Sequence, residues 1–268
     1  MKNTETYALL KSRLFDYTKI PPKEEKILTV DDNTILSRGN FMLLTGAPKV
    51  GKSLYSSIIM ASALSDLTLF RIKAKRFQDK PRIALFDTEQ GETDLYYTID
   101  RTFDLIGKQT NLTKKDLYYK LKSQLDVLSM REDDPAPILQ MLETYIENNT
   151  TTGLFIIDGL LDLVYNYNDE KESKLLINFL KRITKKYKIA IICVLHTGKT
   201  TGTSIGHIGS FADRYCQSNI EITKNDIGTI TLKPKLLRSA KDFEPICLTR
   251  EKENIYEVDY ITEVPKKR

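Results

Sequence analysis

Gly46-Ala47-Pro48-Lys49-Val50-Gly51-Lys52-Ser53 is the stretch whose reading decides the fold. It follows the pattern G-x-x-x-x-G-K-[ST], which wraps phosphate groups when a strand precedes it and a helix follows. Both neighbours are present in the expected order. Phe41-Met42-Leu43-Leu44-Thr45 is an apolar run suited to a buried strand, and Leu54 to Leu64 suits a helix. Gly46 and Gly51 permit backbone angles that turn successive N–H groups inward on an anion. The helix N-terminus adds partial positive charge at the same spot. Lys52 then reaches the β- and γ-phosphates, Ser53 offers a hydroxyl to Mg²⁺, and Leu54 closes the run of nucleotide contacts.

Working outward, strand and helix patterns alternate. Arg82–Asp87, Leu154–Ile157 and Ile189–Leu195 are apolar runs of strand length, and Leu125–Ser129 is a shorter one. Between them, Glu92–Ile106 places Leu95, Ile99, Phe103 and Ile106 on one helical face, Pro135–Asn148 opens with prolines suited to a first turn, and Lys171–Lys188 is amphipathic. Its lysines fall mostly on the opposite face, where a solvated role is the simplest reading. After Ser218 the period shortens to strands at Asn219–Thr223, Thr229–Lys233 and Ile246–Thr249, with a turn at Asn225–Gly228. The expectation is an α/β fold: a mostly parallel sheet covered by helices on both faces, with antiparallel strands added at the C-terminal end. Residues 1–40 read as an N-terminal extension with a helix at Thr6–Phe15, a linker, and a hairpin of Ile27–Val30 with Thr34–Leu36; residues 41–268 read as the main domain.

Composition narrows the function classes. The 268 residues are 41% hydrophobic and 29% charged, ordinary for a globular chain with a sizeable core. The net charge of +5 permits a polyanionic partner without demanding one. Cys193, Cys216 and Cys247 form no metal-binding or disulfide pattern, so a reducing cytoplasm is expected. No run has the length of a membrane span, and no signal peptide is visible at the N-terminus.

In open parallel sheets ligands bind at the carboxyl ends of the strands, so catalytic candidates should sit just past them. Phe86-Asp87-Thr88-Glu89-Gln90 puts Glu89 where it could take a proton from an attacking water or orient it, with capping of the next helix as the plain alternative. Asp87 reads as structural. Leu154-Phe155-Ile156-Ile157-Asp158 carries a carboxylate at a strand end, suited to the shell of Mg²⁺. Asp162 supports that shell or is an ordinary loop residue. His196 ends the last parallel strand, placed either to contact a γ-phosphate or to be satisfied by backbone.

Together these motifs resemble the RecA-like ATPases, and within them the RepA-type hexameric helicase branch, an AAA_25-like group that includes mobile-element ATPases of Bacteroidetes. The likeness spans roughly residues 20–250 and rests on Arg38-Gly39-Asn40, the loop itself, Phe86–Gln90, Ile157–Leu163, Val194-Leu195-His196 and Gly206-His207-Ile208-Gly209-Ser210. It implies ATP and Mg²⁺ as cofactors, Glu89 as catalytic base beside Lys52 and His196, and Ser53 with Asp158 as metal ligands. It implies a homo-oligomer, a hexameric ring, whose nucleotide lies between subunits. Among Lys233, Lys235 and Arg238, it makes Lys235 and Arg238 the candidates to reach a neighbour's γ-phosphate. The loop from Thr197 to Gly206 would face single-stranded nucleic acid through Lys199, Thr200, Thr201 and Ser204, with His207 just after it. Here the chain departs from the family pattern, with Ile205 where an arginine is common and no aromatic platform in the loop.

The leading expectation is a Mg²⁺-dependent ATPase acting on nucleic acid, helicase-like or a replication or mobilisation factor of a mobile element. The alternative is an ATP-dependent switch or assembly protein without unwinding activity. A GTPase is disfavoured because no Asn-Lys-x-Asp motif is present, and a small-molecule kinase because no arginine-rich lid is evident.

Overall fold

The computed structural model describes residues 2–198, 206–252 and 254–260. Lys199, Thr200, Thr201 and Ser204 lie outside them. The central sheet has nine strands. In chain order these are β3 (Phe41–Gly46), β6 (Arg82–Asp87), β7 (Leu125–Ser129), β8 (Thr152–Asp158), β9 (Ala190–His196), β10 (Ser218–Lys224), β11 (Ile230–Leu237), β12 (Ile246–Glu251) and β13 (Asn254–Val258). They lie side by side as β13-β12-β11-β10-β3-β9-β8-β6-β7. The run from β10 to β7 is parallel, and β11, β12 and β13 continue it antiparallel.

Every residue of β3 and β8 is buried, as expected of strands covered on both faces. Alternate side chains feed two separate cores. Met42, Leu44, Leu85, Ile156 and Val194 pack on one side with α2 (Lys52–Ser65) and α3 (Glu92–Thr110). Phe41, Leu43, Phe86, Ile157 and Cys193 pack on the other with α5 (Pro135–Asn148), α6 (Glu170–Tyr187) and α7 (Gly206–Tyr215). α6 shows why these segments are helical. Asp169 caps it by accepting from the Glu172 N–H at 2.7 Å, Leu176, Ile177, Leu180 and Ile183 bury one stripe, and Lys188 ends it with φ 52°. Edge strand β7 alternates between covered and exposed positions instead.

A second sheet of four short strands has the order β2-β1-β5-β4, made of β1 (Lys26–Val30), β2 (Asn33–Ser37), β4 (Thr68–Leu69) and β5 (Ile72–Ala74). The hairpin expected at 27–36 is therefore present. It pairs antiparallel with β5, and Ile27, Leu28, Val30, Ile35 and Leu36 join the α2 side of the core. The N-terminal helix α1 (Lys2–Ser12) ends before Phe15, and Tyr7, Leu9 and Leu10 on it are exposed. A further helix, α4 (Lys114–Leu121), begins with a capping box between Thr113 and Asp116. Among the described residues no helix is long and apolar enough to cross a membrane. All three cysteines are buried and unbridged.

Candidate nucleotide site

The sheet register sets the site. Gly46 lies opposite His196, and Asp87 opposite Asp158, so β3, β9, β8 and β6 end in one row. The glycine-hinged loop rises from β3 and enters α2. A Cβ on Gly46 would stand 2.4 Å from the Ile222 carbonyl oxygen, so only glycine fits there. Gly51, at φ 106°, occupies the cap position of α2 and supplies no side-chain cap. That leaves a helix N-terminus open to an anion, the local property a phosphate needs.

Lys52 is 7% exposed. Its ammonium donates to the carbonyls of Gly46 and Ala47, each at 2.9 Å, and to Nδ1 of His196 at 2.9 Å. Burial lowers its pKa, opposed by the carboxylates of Glu89 and Asp158. The other ring nitrogen of His196, Nε2, lies 2.8 Å from Glu89 Oε2. The three catalytic candidates thus form one hydrogen-bonded chain.

The acidic residues form a tight group behind it. Asp158 is 5% exposed, and burial followed by the charges of Asp87 and Glu89 pushes its carboxyl up from 3.8 to about 7. Burial also raises Asp87 and Asp162. Asp87 accepts from the backbone N–H groups of Glu89 at 3.1 Å and Gln90 at 2.7 Å, so it shapes the turn that presents Glu89. It does not cap α3, whose cap position is Gly91. Asp162 belongs to the cluster too, because its Oδ2 accepts from the Thr88 hydroxyl at 2.7 Å.

Sequence reasoning missed the polar ties around these groups. Gln90 donates to Asp87 and, at 3.4 Å, to Asp158, while its carbonyl accepts from Thr98 at 3.0 Å. The Ser57 hydroxyl donates to the Thr98 carbonyl at 3.0 Å, which locks α3 against α2. Threonines and serines in helices carry no signal until the helices are known to touch.

The remaining candidates lie apart. Lys235 sits on β11, 4.0 Å from the Asp213 carboxylate. Arg238 donates from Nε to the Cys216 carbonyl at 2.9 Å, and from Nη2 to the carbonyls of Arg214 at 2.7 Å and Asp213 at 3.2 Å. It closes the C-terminus of α7 in its own chain. His207 is exposed on the first turn of α7. A cavity of about 1600 Å³ opens over the loop and is lined by Lys49, Lys52, Ser53, Glu89, Asp158 and His196 among others.

Comparison with known proteins agrees with this geometry. No curated protein matches the chain in sequence. A KaiC-like protein of the hyperthermophilic archaeon Pyrococcus horikoshii superposes with a TM-score of 0.60 at 11% identity, covering 89% of this chain and all of its own, a likeness of fold. The family model AAA_25, described as an AAA domain, matches residues 7–202. With most of its length inside that model, and with a RecA-like sheet carrying the phosphate loop, the chain belongs to the AAA_25 family of P-loop ATPases.

Proposed function

We propose that this protein is a Mg²⁺-dependent ATPase that works on nucleic acid, as a helicase-like or replication or mobilisation factor of a mobile element. The observation that carries the ATPase chemistry is the row of strand ends, which brings Lys52, His196, Glu89 and Asp158 together beside an uncapped helix N-terminus. The backbone from Gly46 to Leu54 would hold the phosphates. Ser53 and Asp158 would hold Mg²⁺, which supplies charge neutralisation at the transferring phosphoryl group. Among the described residues no three His, Cys, Asp or Glu side chains form a metal cage. That suits an ion that takes most of its ligands from phosphate and water.

Glu89 is the acceptor for the proton of the attacking water. As the water oxygen bonds to the γ-phosphorus, the bond to the β–γ bridging oxygen breaks. His196 stands between Glu89 and Lys52, placed to register an arriving γ-phosphate. We read the chain as one ATPase domain from residue 41 with an extension before it whose 27–36 hairpin is built onto that domain's core; the candidate phosphate contacts all lie after residue 41. Its working form is a cytoplasmic homo-oligomer, a hexameric ring. Lys235 and Arg238 are the two side chains we put forward to act on a neighbour's nucleotide. Contact with single-stranded nucleic acid falls to the 199–204 loop and His207.

The switch reading has its own support. Leu14, Phe15, Tyr17 and Ile20 of the extension are 78%, 73%, 86% and 96% exposed, a surface suited to a protein partner. One measurement separates the readings: ATP turnover of wild type and Lys52→Ala, with and without single-stranded DNA at low salt. Turnover that needs Lys52 and rises with DNA supports the proposal. Turnover indifferent to DNA, with no DNA binding, supports the switch, and a fully active Lys52→Ala removes the ATPase assignment.

A further inference from the structure

The cavity does not end at the phosphate loop. It continues along α3, whose Asp94, Tyr97, Arg101, Leu105 and Lys108 recur at helical spacing and all line it. Arg101 is seven residues beyond Asp94, about 10 Å farther along the helix axis at 1.5 Å per residue. The volume of about 1600 Å³ exceeds the roughly 300–1,000 Å³ usual for small-ligand sites, so a nucleotide on the loop leaves part of the groove to fill.

Two arginines face that remaining space. Arg101 is half-buried and, among the described residues, makes no hydrogen bond or ion pair. Arg250, on β12, lines the same space. The Lys108 ammonium, 3.0 Å from Asn254 Oδ1, holds the start of β13 against α3 and so brings the β12–β13 hairpin alongside. Arg250 uses Nε on the Lys252 carbonyl at 3.0 Å, and no described partner takes its terminal nitrogens. Burial and the charge of Arg250 both disfavour the Arg101 cation.

Most of the carboxylates nearby are engaged elsewhere. Asp100 and Asp104 hold Lys114 at 2.8 and 2.9 Å, and Glu257 pairs with Arg71. Asp94 lies two turns back toward the loop. Arg101 is half-buried and Arg250 exposed, and two permanent cations lining one groove repel each other until an anion arrives.

We propose that Arg101 and Arg250 form a second anion subsite that takes a phosphomonoester, carried by the bound nucleotide outside its 5′ chain. Two guanidinium forks match the double charge and oxygen array of that group, whereas a single carboxylate would leave one cation uncompensated. Tyr97, 57% exposed and on the same helical face, lines the wall between the loop and the arginines, where a nucleoside would lie. The inference rests on the reading of Gly46–Ser53 as a nucleotide site, and deepens it by naming the substrate class.

The test is calorimetric titration of the full chain at fixed ionic strength with three probes: ADP, ADP plus inorganic phosphate, and adenosine 3′-phosphate 5′-diphosphate. Wild type should bind the 3′-phosphorylated probe about tenfold more tightly than ADP, the worth of one charge-assisted hydrogen bond, while Arg101→Gln and Arg250→Gln each erase the difference and leave ADP affinity within about twofold. Neither arginine supports the core by a hydrogen bond to another element, and melting curves check that both variants fold. Tightening by inorganic phosphate alone, lost in both variants, keeps the subsite and assigns its anion to a free ion. Equal affinities with no effect of phosphate, or discrimination that survives both substitutions, overturns the subsite and leaves the nucleotide site standing. Failure to bind ADP at all overturns both.

Discussion

The Lys52 ammonium and Nδ1 of His196 are 2.9 Å apart, and this contact selects which ring nitrogen carries the imidazole proton. An ammonium has only protons to give, so Nδ1 must accept. The ring proton then sits on Nε2 and donates to Glu89 across 2.8 Å. The lysine of the phosphate loop is in this way connected to Glu89, the base we propose, through one imidazole. A phosphate that draws Lys52 away removes the donor that holds Nδ1, and the ring becomes able to turn its own hydrogen bonding toward the new oxygens.

That tautomer can be read directly, because His196 and His207 are the only histidines in the chain. In nitrogen-15 spectra of the His207→Gln protein without nucleotide, we expect one neutral tautomer with the proton on Nε2. Lys52→Ala should mix the tautomers, since the acceptor requirement on Nδ1 is gone. A mixed population in the parent, unchanged by Lys52→Ala, would show that the contact does not persist in solution.

Glu89→Gln keeps the size and one acceptor but cannot take a proton. ATP turnover should fall by about 10²–10⁴, the usual contribution of a general base, while ATP affinity changes by no more than about threefold. Rapid-quench turnover and equilibrium binding of a fluorescent ATP analogue check the two halves. Weakened binding with unchanged turnover would assign Glu89 to nucleotide holding instead.

Asp158 makes the metal-free protein sensitive to pH. Burial, followed by the charges of Asp87 and Glu89, pushes its carboxyl from the ordinary 3.8 up to about 7 in the folded protein. Between those values the folded protein keeps a proton that the unfolded chain has released. The folded state therefore binds more protons there, and stability falls as pH rises through the window, to level off above about pH 7. Asp158→Asn removes that contribution. In urea unfolding it should gain on wild type by about 1–3 kcal/mol on going from pH 5 to pH 8, less than direct conversion of the shift because neighbouring carboxylates relax. A pH-independent difference between the two proteins would place the proton elsewhere in the cluster.

Much of this site was legible because its parts are local. The loop is eight consecutive residues, and the parallel strands are continuous apolar runs since both of their faces are covered. Asp158, Glu89 and His196 could be named from strand ends alone. Their contacts could not, because these depend on β9 lying between β3 and β8, an order that spacing does not reveal. β4 and β5 have two and three residues, too few to show a period, so the small sheet that anchors β1 was invisible. α4 buries only Leu117 and Leu121, although its Thr113–Asp116 cap stood in the sequence. The helix expected at Thr6–Phe15 stops at Ser12, and Leu10 on it is 61% exposed, because helical spacing says nothing about whether a partner face exists in the same chain.

Arg238 separates a role within the chain from one between chains. Three of its hydrogen bonds end on the carbonyls of Asp213, Arg214 and Cys216, which a helix C-terminus leaves unsatisfied. Arg238→Ala should therefore lower unfolding free energy by about 1–3 kcal/mol, the cost of leaving such acceptors without donors, with turnover per folded molecule close to wild type. Urea titration and single-turnover rates at matched folded concentration measure the two. If stability is unchanged and turnover collapses, Arg238 acts on a neighbour's phosphate. Mixing that variant with inactive Lys52→Ala protein should then restore turnover, since each copy supplies what the other lacks.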